Sequence, residues 1–373
     1  MSLEKKWVTS GSNRPFYLRK TFKLKDRIAS AELKATGVGQ FNAWINGNRV
    51  GDHYLDPAWT DYSKEVQFVT FDVTDMLTGG QNALVLEIGN GWYIWDTEYG
   101  YSFHFPPFMP PNPNPYKEYG KALAGAFELR VTYADGTEET VSSDESCRTA
   151  PHGVKHTNVF SSELIDGRDL KRGCSAAEYD DSDWENARSA DADEAPKGTL
   201  APSSMPPVRS IGTYEAQFLH EVNGHRIYDL GQNISGVLSA EVRGKAGAQA
   251  DFLPAEKLEE NGDADQMAKN WMLIDNKISY IIAEDDEWES FSQTFAYFAG
   301  RYIAVAGDVE VRNLKAEAVT SAWKRAGSFT CDDDRYNKIY DMIEKTVEAN
   351  MVGVHTDCPT IERFAWQEPN HLM

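Results

Sequence analysis

The chain has 373 residues, of which 41% are hydrophobic and 12% aromatic, and its 58 acidic and 37 basic side chains give a net charge of −21. This length corresponds to two or three domains rather than one. The negative charge disfavours nucleic acid and anionic membrane surfaces as partners, because both repel it, whereas a neutral polyhydroxylated ligand is indifferent to it.

Cysteine usage and the chain start bear on the cellular compartment. The four cysteines form no CxxC pair, so we expect free thiols, with one disulfide as the alternative, and no zinc site of the usual spacing. No apolar run approaches the roughly 18 residues of a membrane helix. The first residues lack the apolar core of a signal peptide. We favour a cytoplasmic protein over a periplasmic or secreted one; a leader trimmed ahead of Met1 is the alternative.

Residues from about 14 to 145 have the pattern of short β-strands. Strands are predicted at Phe16–Phe22, Val66–Val73 and Ala83–Ile88. Two hairpins are predicted where Asn46-Gly47 and Asp135-Gly136 interrupt alternating segments, since these dipeptides accept the positive φ of tight turns. Such a series of short strands is typical of a sandwich or jelly roll.

Two stretches interrupt this pattern. Phe105–Pro115 has six prolines in eleven residues, which predicts a loop; a peptide-docking PxxP segment is the alternative. Ala190–Pro207 is rich in Ala, Asp, Ser and Pro, which marks a domain boundary. We therefore assign residues 1–205 to an N-terminal β-sandwich domain.

A second β region follows, and then the periodicity changes. Strands are predicted in residues 206–325, a second β-sandwich domain, at Arg226–Leu230, Val237–Val242, Lys277–Ile282 and Arg301–Val305. Beyond them Tyr336, Tyr340, Ile343, Val347 and Met351 follow at spacings of 4, 3, 4 and 4, which predicts a helix that begins at Asp332–Asp334 and stops near Gly353. Residues 326–373 are interpreted as the incomplete beginning of a helical domain.

The first β region carries motifs of a known family. Ile45–Gly51 (INGNRVG), Leu55–Tyr62 (LDPAWTDY), Phe71–Thr74 (FDVT) and Ile88–Tyr93 (IGNGWY) resemble, in this order, the N-terminal sandwich of bacterial α-L-rhamnosidases. The ING and DVT pieces also occur in jelly-roll domains of β-galactosidases. The LDPAWTDY and GNGWY pieces narrow the resemblance to the rhamnosidases.

Later motifs agree with this resemblance. Tyr228–Gly236 (YDLGQNISG) is similar to the D-x-G-Q-N-x-x-G signature of the family, and Phe291–Tyr302 resembles a strand late in its second module. His355–Trp366 (HTDCPTIERFAW) resembles the D-C-P-T-x-E motif at the start of the helical domain. The resemblance implies a mainly β chain: two antiparallel β-sandwich (jelly-roll or galactose-binding-like) domains, followed by the first helix of a truncated α/α-barrel.

The resemblance also implies a chemistry. Glycoside hydrolysis uses two carboxyl groups, and an inverting enzyme uses one as general acid and one as base on a water. The family motif assigns sugar binding to Asp357 and the general acid to Glu362, while Trp366 would supply an apolar wall for the sugar and raise a neighbouring carboxyl pKa. A capping Asp and a surface Glu are the structural alternative. Trp92 and Trp95 are candidates for a sugar-stacking platform, with core packing as the alternative.

The sequence departs from the family pattern at two points. Pro369 stands where the family has a sugar-binding Asp, so Glu368 would have to substitute or the specificity would differ. The partner base lies beyond Met373 in the family. We therefore expect an enzyme that removes terminal α-L-rhamnose from glycans or glycosides, and no activity from this chain alone.

No cofactor and no metal are expected. His152, His156, His220 and His225 have no third ligand at zinc spacing, and Asn261–Asp265 lacks the closing Glu of a calcium loop. The expected partner is a rhamnose-containing oligosaccharide, polysaccharide or glycoside, without nucleic acid or membrane. The alternative function is a non-catalytic carbohydrate-binding or scaffolding protein. Linkage, calcium binding and oligomeric state are not indicated by the sequence.

Overall fold

The computed structural model describes residues 6–94, 119–158, 162–266, 276–360, 363 and 365. Trp95, Glu362 and Trp366, like the proline-rich segment 105–115, lie outside the described residues. The strands up to residue 166 are β1 Val8–Thr9, β2 Phe16–Leu24, β3 Ile28–Val38, β4 Gln40–Ile45, β5 Asn48–Arg49, β6 His53–Tyr54, β7 Glu65–Asp72, β8 Gly80–Gly89, β9 Ala124–Tyr133, β10 Glu138–Ser142, β11 Arg148–Pro151, β12 Val154–Asn158 and β13 Ser162–Asp166.

The later elements are strands and one long helix. They are β14 Glu185–Asn186, β15 Arg188–Ser189, β16 Thr199–Pro202, β17 Val208–Glu215, β18 Gln217–Val222, β19 His225–Arg243, β20 Gln249–Ala255, β21 Ile278–Ile281, β22 Glu289–Ser292, β23 Phe298–Ala306, β24 Glu310–Thr320 and helix α1 Asp334–Asn350. Short 3₁₀ turns occur at Thr74–Met76 and Gly167–Asp169. The prediction of a mainly β chain that ends in a helix is confirmed.

The first compact unit comprises the described parts of Met1–Trp95, Tyr116–Lys155 and Asp169–Met205. One of its sheets has the strand order β15-β1-β9-β3-β7-β16, with β10 paired to β9, and the other has the order β14-β11-β2-β8-β4-β5. Leu33 and Leu129 of the first sheet share one buried cluster with Leu18 and Leu86 of the second. Two sheets that bury their facing side chains in this way form a sandwich.

Both predicted hairpins of this unit are present. Strands β4 and β5 flank Asn46 and Gly47, which have φ of 49° and 85°, and strands β9 and β10 flank Gly136, which has φ of 80°. Positive φ at these positions is what a tight hairpin turn requires.

The second unit comprises the described parts of His156–Arg168 and of Pro206 onward. Asp96–Pro115 is assigned to the same unit but lies outside the described residues. Its sheet contains the order β13-β21-β20-β23-β19-β24-β17, and β18 and β22 also pair with β19. The Phe291 ring of β22 lies 5.1 Å from that of Phe252 on β20 and 5.0 Å from that of Tyr280 on β21. All three rings are buried, so they form part of the core of this unit.

One prediction in this unit is wrong in detail. Arg226–Leu230 and Val237–Val242 were expected as separate strands, but both belong to the single strand β19. The pairing of β19 with β23 shifts register between Asp229 and Ile234, so the intervening residues form a bulge rather than a loop. The glycines and polar residues of this stretch interrupt the ladder locally without ending the strand.

Helix α1 begins as predicted, with the Asp333 side chain accepting a hydrogen bond from the Arg335 N–H at 3.0 Å. It ends at Asn350, three residues before Gly353, which has φ of 77°. On the predicted apolar face, Tyr336 and Ile343 are exposed, the former by 57%. No helix in the described part of the chain is long and apolar enough to cross a membrane.

The domain boundaries predicted at residues 205 and 325 stay a prediction. The structure adds a feature that the sequence did not indicate: β13 pairs in parallel with β21, with Glu163 opposite Ile278 and Asp166 opposite Ile281. The segment 156–168 therefore belongs to the second unit, although it lies well before residue 205 in the chain.

Candidate functional site

The D-x-G-Q-N-x-x-G signature forms the bulge of β19. Arg301 holds the Asp229 carboxylate through two hydrogen bonds of 2.8 and 2.7 Å, and the Gly231 N–H donates to the same carboxylate at 2.6 Å. The Arg301 hydrogen bonds hold the pKa of Asp229 below its usual range. Gly231 has φ of 78°, a conformation that glycine adopts without strain. These contacts fix the turn that precedes Gln232 and Asn233.

Gln232 and Asn233 border a cavity of about 620 Å³ in the second unit. The Asn233 amide donates to Glu256 Oε1 at 3.0 Å, which ties the bulge to the end of β20. The lining side chains come from the bulge, from the residue that follows β20, from helix α1 and from the residues before and after the helix: Gln232, Asn233, Glu256, Arg325, Asp341, Met342, Glu344, Lys345, Thr346, Ala349, Asn350 and Pro359. Pro359 belongs to the D-C-P-T string, so two motifs distant in sequence meet at this cavity.

The chain that leaves helix α1 is anchored by a series of hydrogen bonds. The Met351 carbonyl accepts from the Ser321 N–H at 2.6 Å and from the Thr320 hydroxyl at 3.0 Å. The buried Thr356 donates its N–H to the Asn350 carbonyl at 2.9 Å, and its hydroxyl pairs with the Asn350 side chain at 2.9 Å. The approach to Asp357 is therefore held in one conformation against the end of β24.

Arg363 anchors the same string at its far end. This side chain is only 1% exposed, and it donates from Nε to the Pro359 carbonyl at 2.6 Å and from Nη1 to the Tyr297 carbonyl at 2.8 Å. Its guanidinium carbon lies 4.2 Å from the centre of the Tyr297 ring. Burial lowers the pKa of Arg363 and raises that of Tyr297. Sequence reasoning did not single out Arg363 or Tyr297, because nothing local in the sequence signals that they meet.

The predicted site residues fall in different parts of the structure. Asp357 is exposed in the second unit, close enough to Tyr297 that its charge contributes to the raised pKa of that phenol. Trp92 is half-buried in the first unit, where its ring stacks on that of Trp59 at 4.6 Å and packs against the sandwich core. Glu362, Trp366 and Trp95 lie outside the described residues. The roles of all five stay predictions.

No group of three or more His, Cys, Asp or Glu side chains in the described ranges is arranged to hold a metal ion. The histidines considered from the sequence have other contacts. His225 pairs with Asp263 at 2.8 Å, His220 contacts the Gly262 carbonyl at 3.0 Å, and His156 contacts the Ser162 hydroxyl at 3.0 Å. These contacts join neighbouring strands and loops.

Comparison with known families agrees with the motifs. The model described as Alpha-L-rhamnosidase N-terminal domain matches residues 26–229, more than half of the chain. The chain belongs to the α-L-rhamnosidase family. Two further rhamnosidase models follow in chain order, the bacterial concanavalin-like domain at residues 220–323 and the bacterial 6 hairpin glycosidase domain at residues 324–373.

Curated α-L-rhamnosidases match nearly the whole chain. A relative from Formosa agariphila is 28% identical over 369 residues, which cover 95% of this chain and 37% of the relative. One from Streptomyces avermitilis is 30% identical over 365 residues, which cover 96% of this chain and 33% of the relative. The chain thus spans about a third of the length of these relatives.

Solved rhamnosidase structures share the fold. The α-L-rhamnosidase from Dictyoglumus thermophilum has a TM-score of 0.84 at 28% identity, and the match covers 99% of this chain and 42% of that one. The Streptomyces avermitilis α-L-rhamnosidase complexed with L-rhamnose has a TM-score of 0.82 at 29% identity, covering 95% of this chain and 33% of that one.

Proposed function

We propose that this chain is part of an α-L-rhamnosidase, a glycosidase that removes terminal α-L-rhamnose from glycans or glycosides. The observation that carries the proposal is the succession of three rhamnosidase family models along residues 26–373. The solved relative that is complexed with L-rhamnose supports a rhamnose-containing substrate. The chain spans about a third of the length of its relatives. What the whole protein does and what this chain does alone are therefore proposed and tested separately.

The proposed mechanism is inverting hydrolysis by two carboxyl groups. Glu362 would protonate the departing glycosidic oxygen, and a carboxylate on polypeptide outside this chain would activate the attacking water. Asp357 would hold the sugar by hydrogen bonds, and Trp366 would pack on its apolar face. The anchoring of the 351–360 segment to β24 supports this assignment, since a site built on a rigid support keeps its catalytic geometry.

Trp92 and Trp95 are proposed to contact more distant sugar units of a glycan. The support is the aromatic character of this region, in which Trp92 and Trp59 form a stacked pair. Replacing Trp92 by Ala should weaken glycan binding without changing hydrolysis of a small aryl rhamnoside.

Expression of the whole natural reading frame tests the proposed reaction. We expect hydrolysis of an aryl α-L-rhamnoside with release of the β-anomer first, detected by NMR. Glu362→Gln should lower kcat by about 10²–10⁴, the usual contribution of a general acid, while Glu310→Gln on the exposed part of β24 should not. A reading frame that ends at Met373, with glycan binding and no turnover, would contradict the proposal in favour of a carbohydrate-binding protein.

The 373-residue chain alone provides a second test. We expect it to release no rhamnose, because the proposed base is not part of it. A rate that disappears on Glu362→Gln in this chain would show that the second carboxylate lies within residues 1–373.

A further inference from the structure

We propose that Asn233 and Glu256 form a subsite that binds a sugar ring of the substrate through its hydroxyl groups. The identity of the sugar rests on the proposed function, whereas the presence of a polyol subsite rests on the geometry. The residues on which it depends come from the β-sheet module rather than from the helical string that carries Asp357.

The first support is the state of the Asn233 side chain. Its amide nitrogen donates to Glu256 Oε1 at 3.0 Å, and this contact fixes the orientation of the amide, since the flipped form would place its oxygen against a carboxylate oxygen. The amide oxygen, Oδ1, is then buried and accepts no hydrogen bond from any described residue. An unsatisfied buried acceptor is costly and calls for a ligand or water that donates to it.

The second support is the position of Asn233 on the bulge of β19. The bulge between Asp229 and Ile234 removes Gln232 and Asn233 from the ladder with β23, so their side chains are free to border the cavity. Three contacts hold the bulge: the two hydrogen bonds of Arg301 to Asp229 and the Gly231 N–H bond. A bulge stabilised in this way is a means of aiming side chains at a site.

The third support is the size and charge of the cavity. Its volume of about 620 Å³ lies within the range of roughly 300–1,000 Å³ that is usual for small-molecule sites. The cations that line it are already paired, Arg325 with Glu344 at 2.9 Å and Lys345 with Glu348 at 2.8 Å. An anionic ligand would have to displace these carboxylates. A neutral polyol can instead donate to Asn233 Oδ1 and Glu256 while its C–H groups contact Met342 and Pro359.

Direct binding to the full-length protein tests the subsite. Titration calorimetry with L-rhamnose and with a rhamnosyl disaccharide should show that Asn233→Ala raises the Kd of at least one of them by about tenfold, the effect of losing one good hydrogen bond. Glu256→Gln, which keeps the shape of the side chain, should also raise this Kd, and it provides the test if Asn233→Ala does not fold. In the kinetics, the loss should fall on KM rather than on kcat.

Glu241→Gln is the matched control. Glu241 accepts from the Asn313 amide at 3.1 Å on the same sheet, as Glu256 does from Asn233, but it does not border this cavity. Its Kd should equal that of the wild type. Folded Asn233→Ala and Glu256→Gln proteins with unchanged Kd would overturn the subsite and leave the proposed reaction intact. If the protein binds sugar through Asn233 but hydrolyses no rhamnoside, the subsite stands and the proposed reaction falls. Loss of sugar binding in Glu241→Gln would show that the sugar binds elsewhere.

Discussion

Arg363 shows how a single buried charge can fix the conformation of a chain segment. Its guanidinium lies on the Tyr297 ring and donates to two carbonyls, those of Pro359 and Tyr297. Only the planar fork of arginine makes both contacts and the stacking at once. The segment that carries Asp357 is thus held by Arg363 at one end and by helix α1 at the other.

We expect Arg363→Lys to loosen this segment. A lysine would lose one carbonyl contact and the stacking, at a cost of about 1–3 kcal/mol for the buried group left unsatisfied. Hydrogen–deuterium exchange should then accelerate across residues 351–360. Arg335→Lys is the control, because Arg335 is exposed and pairs with Asp333 at the start of α1. Equal exchange in both variants would show that Arg363 is not an anchor.

Glu163 gives the second unit a dependence on pH. It is buried and accepts the N–H groups of Thr294 at 2.7 Å and Phe295 at 2.8 Å. Burial nevertheless raises its pKa to about 7 from an ordinary value of 4.5. The folded state therefore holds the proton more tightly than the unfolded state. The stabilisation from this group is complete below about pH 4.5 and is lost as the pH rises through 7.

Glu163→Gln should flatten this dependence. Between pH 4.5 and 7 the free energy of unfolding of the wild type should fall by about 3 kcal/mol more than that of the variant, since each pKa unit corresponds to about 1.4 kcal/mol. Urea unfolding at a series of pH values measures the difference. Glu260→Gln, at an exposed position of the same unit, should behave like the wild type. Parallel curves for Glu163→Gln and wild type would contradict the assignment.

At the scale of elements, the bulge of β19 depends on Gly231. Its φ of 78° is strained for alanine, but a Cβ there would meet no atom within 4 Å. Gly231→Ala should therefore cost about 1 kcal/mol from backbone strain alone, measurable as a lower urea midpoint. We also expect weaker sugar binding, because relief of this strain by a change of φ at position 231 would displace Asn233.

Gly136→Ala is the control for this prediction. Gly136 has φ of 80° in the β9–β10 hairpin, and a Cβ there is likewise unobstructed. Gly136→Ala should lower the free energy of unfolding about as much as Gly231→Ala does, and it should leave sugar binding unchanged. Equal sugar binding by wild type and Gly231→Ala would show that the bulge does not position the subsite.

Elements with local causes could be predicted from the sequence. Both hairpins and the start of α1 depend on turn and capping residues within a few positions, and they lie where the sequence indicated. The division of β19 into two strands was wrong, because Gly231 and its polar neighbours have the composition of a loop. Only the pairing of β19 with β23 and β24 keeps the strand continuous through them.

At the scale of the whole molecule, the second unit includes a segment from earlier in the chain. Strand β13 pairs with β21, whose residues Ile278 and Tyr280 are fully buried. Without β13, an apolar strand would present an open edge, which favours aggregation. A polypeptide of residues 206–373 should therefore aggregate in size-exclusion chromatography, and a peptide of residues 156–168 should reduce this aggregation.

The same peptide with Ile165→Pro is the control. Proline cannot donate to the ladder, so this peptide should not reduce the aggregation. A monomeric 206–373 polypeptide without any peptide would show that β13 is dispensable.

The sequence by itself determined the family, the β character and the order of the modules, because motifs, turns and periodicity are local properties of a chain. The tertiary structure alone decided that Asn233 and Glu256 meet at a cavity bordered by Pro359, that Arg363 lies on Tyr297, and that β13 pairs with β21 from much later in the chain. These arrangements bring together residues 23 to 126 positions apart in the chain. They depend on how bulges and strand pairing direct side chains, and no short stretch of sequence encodes that.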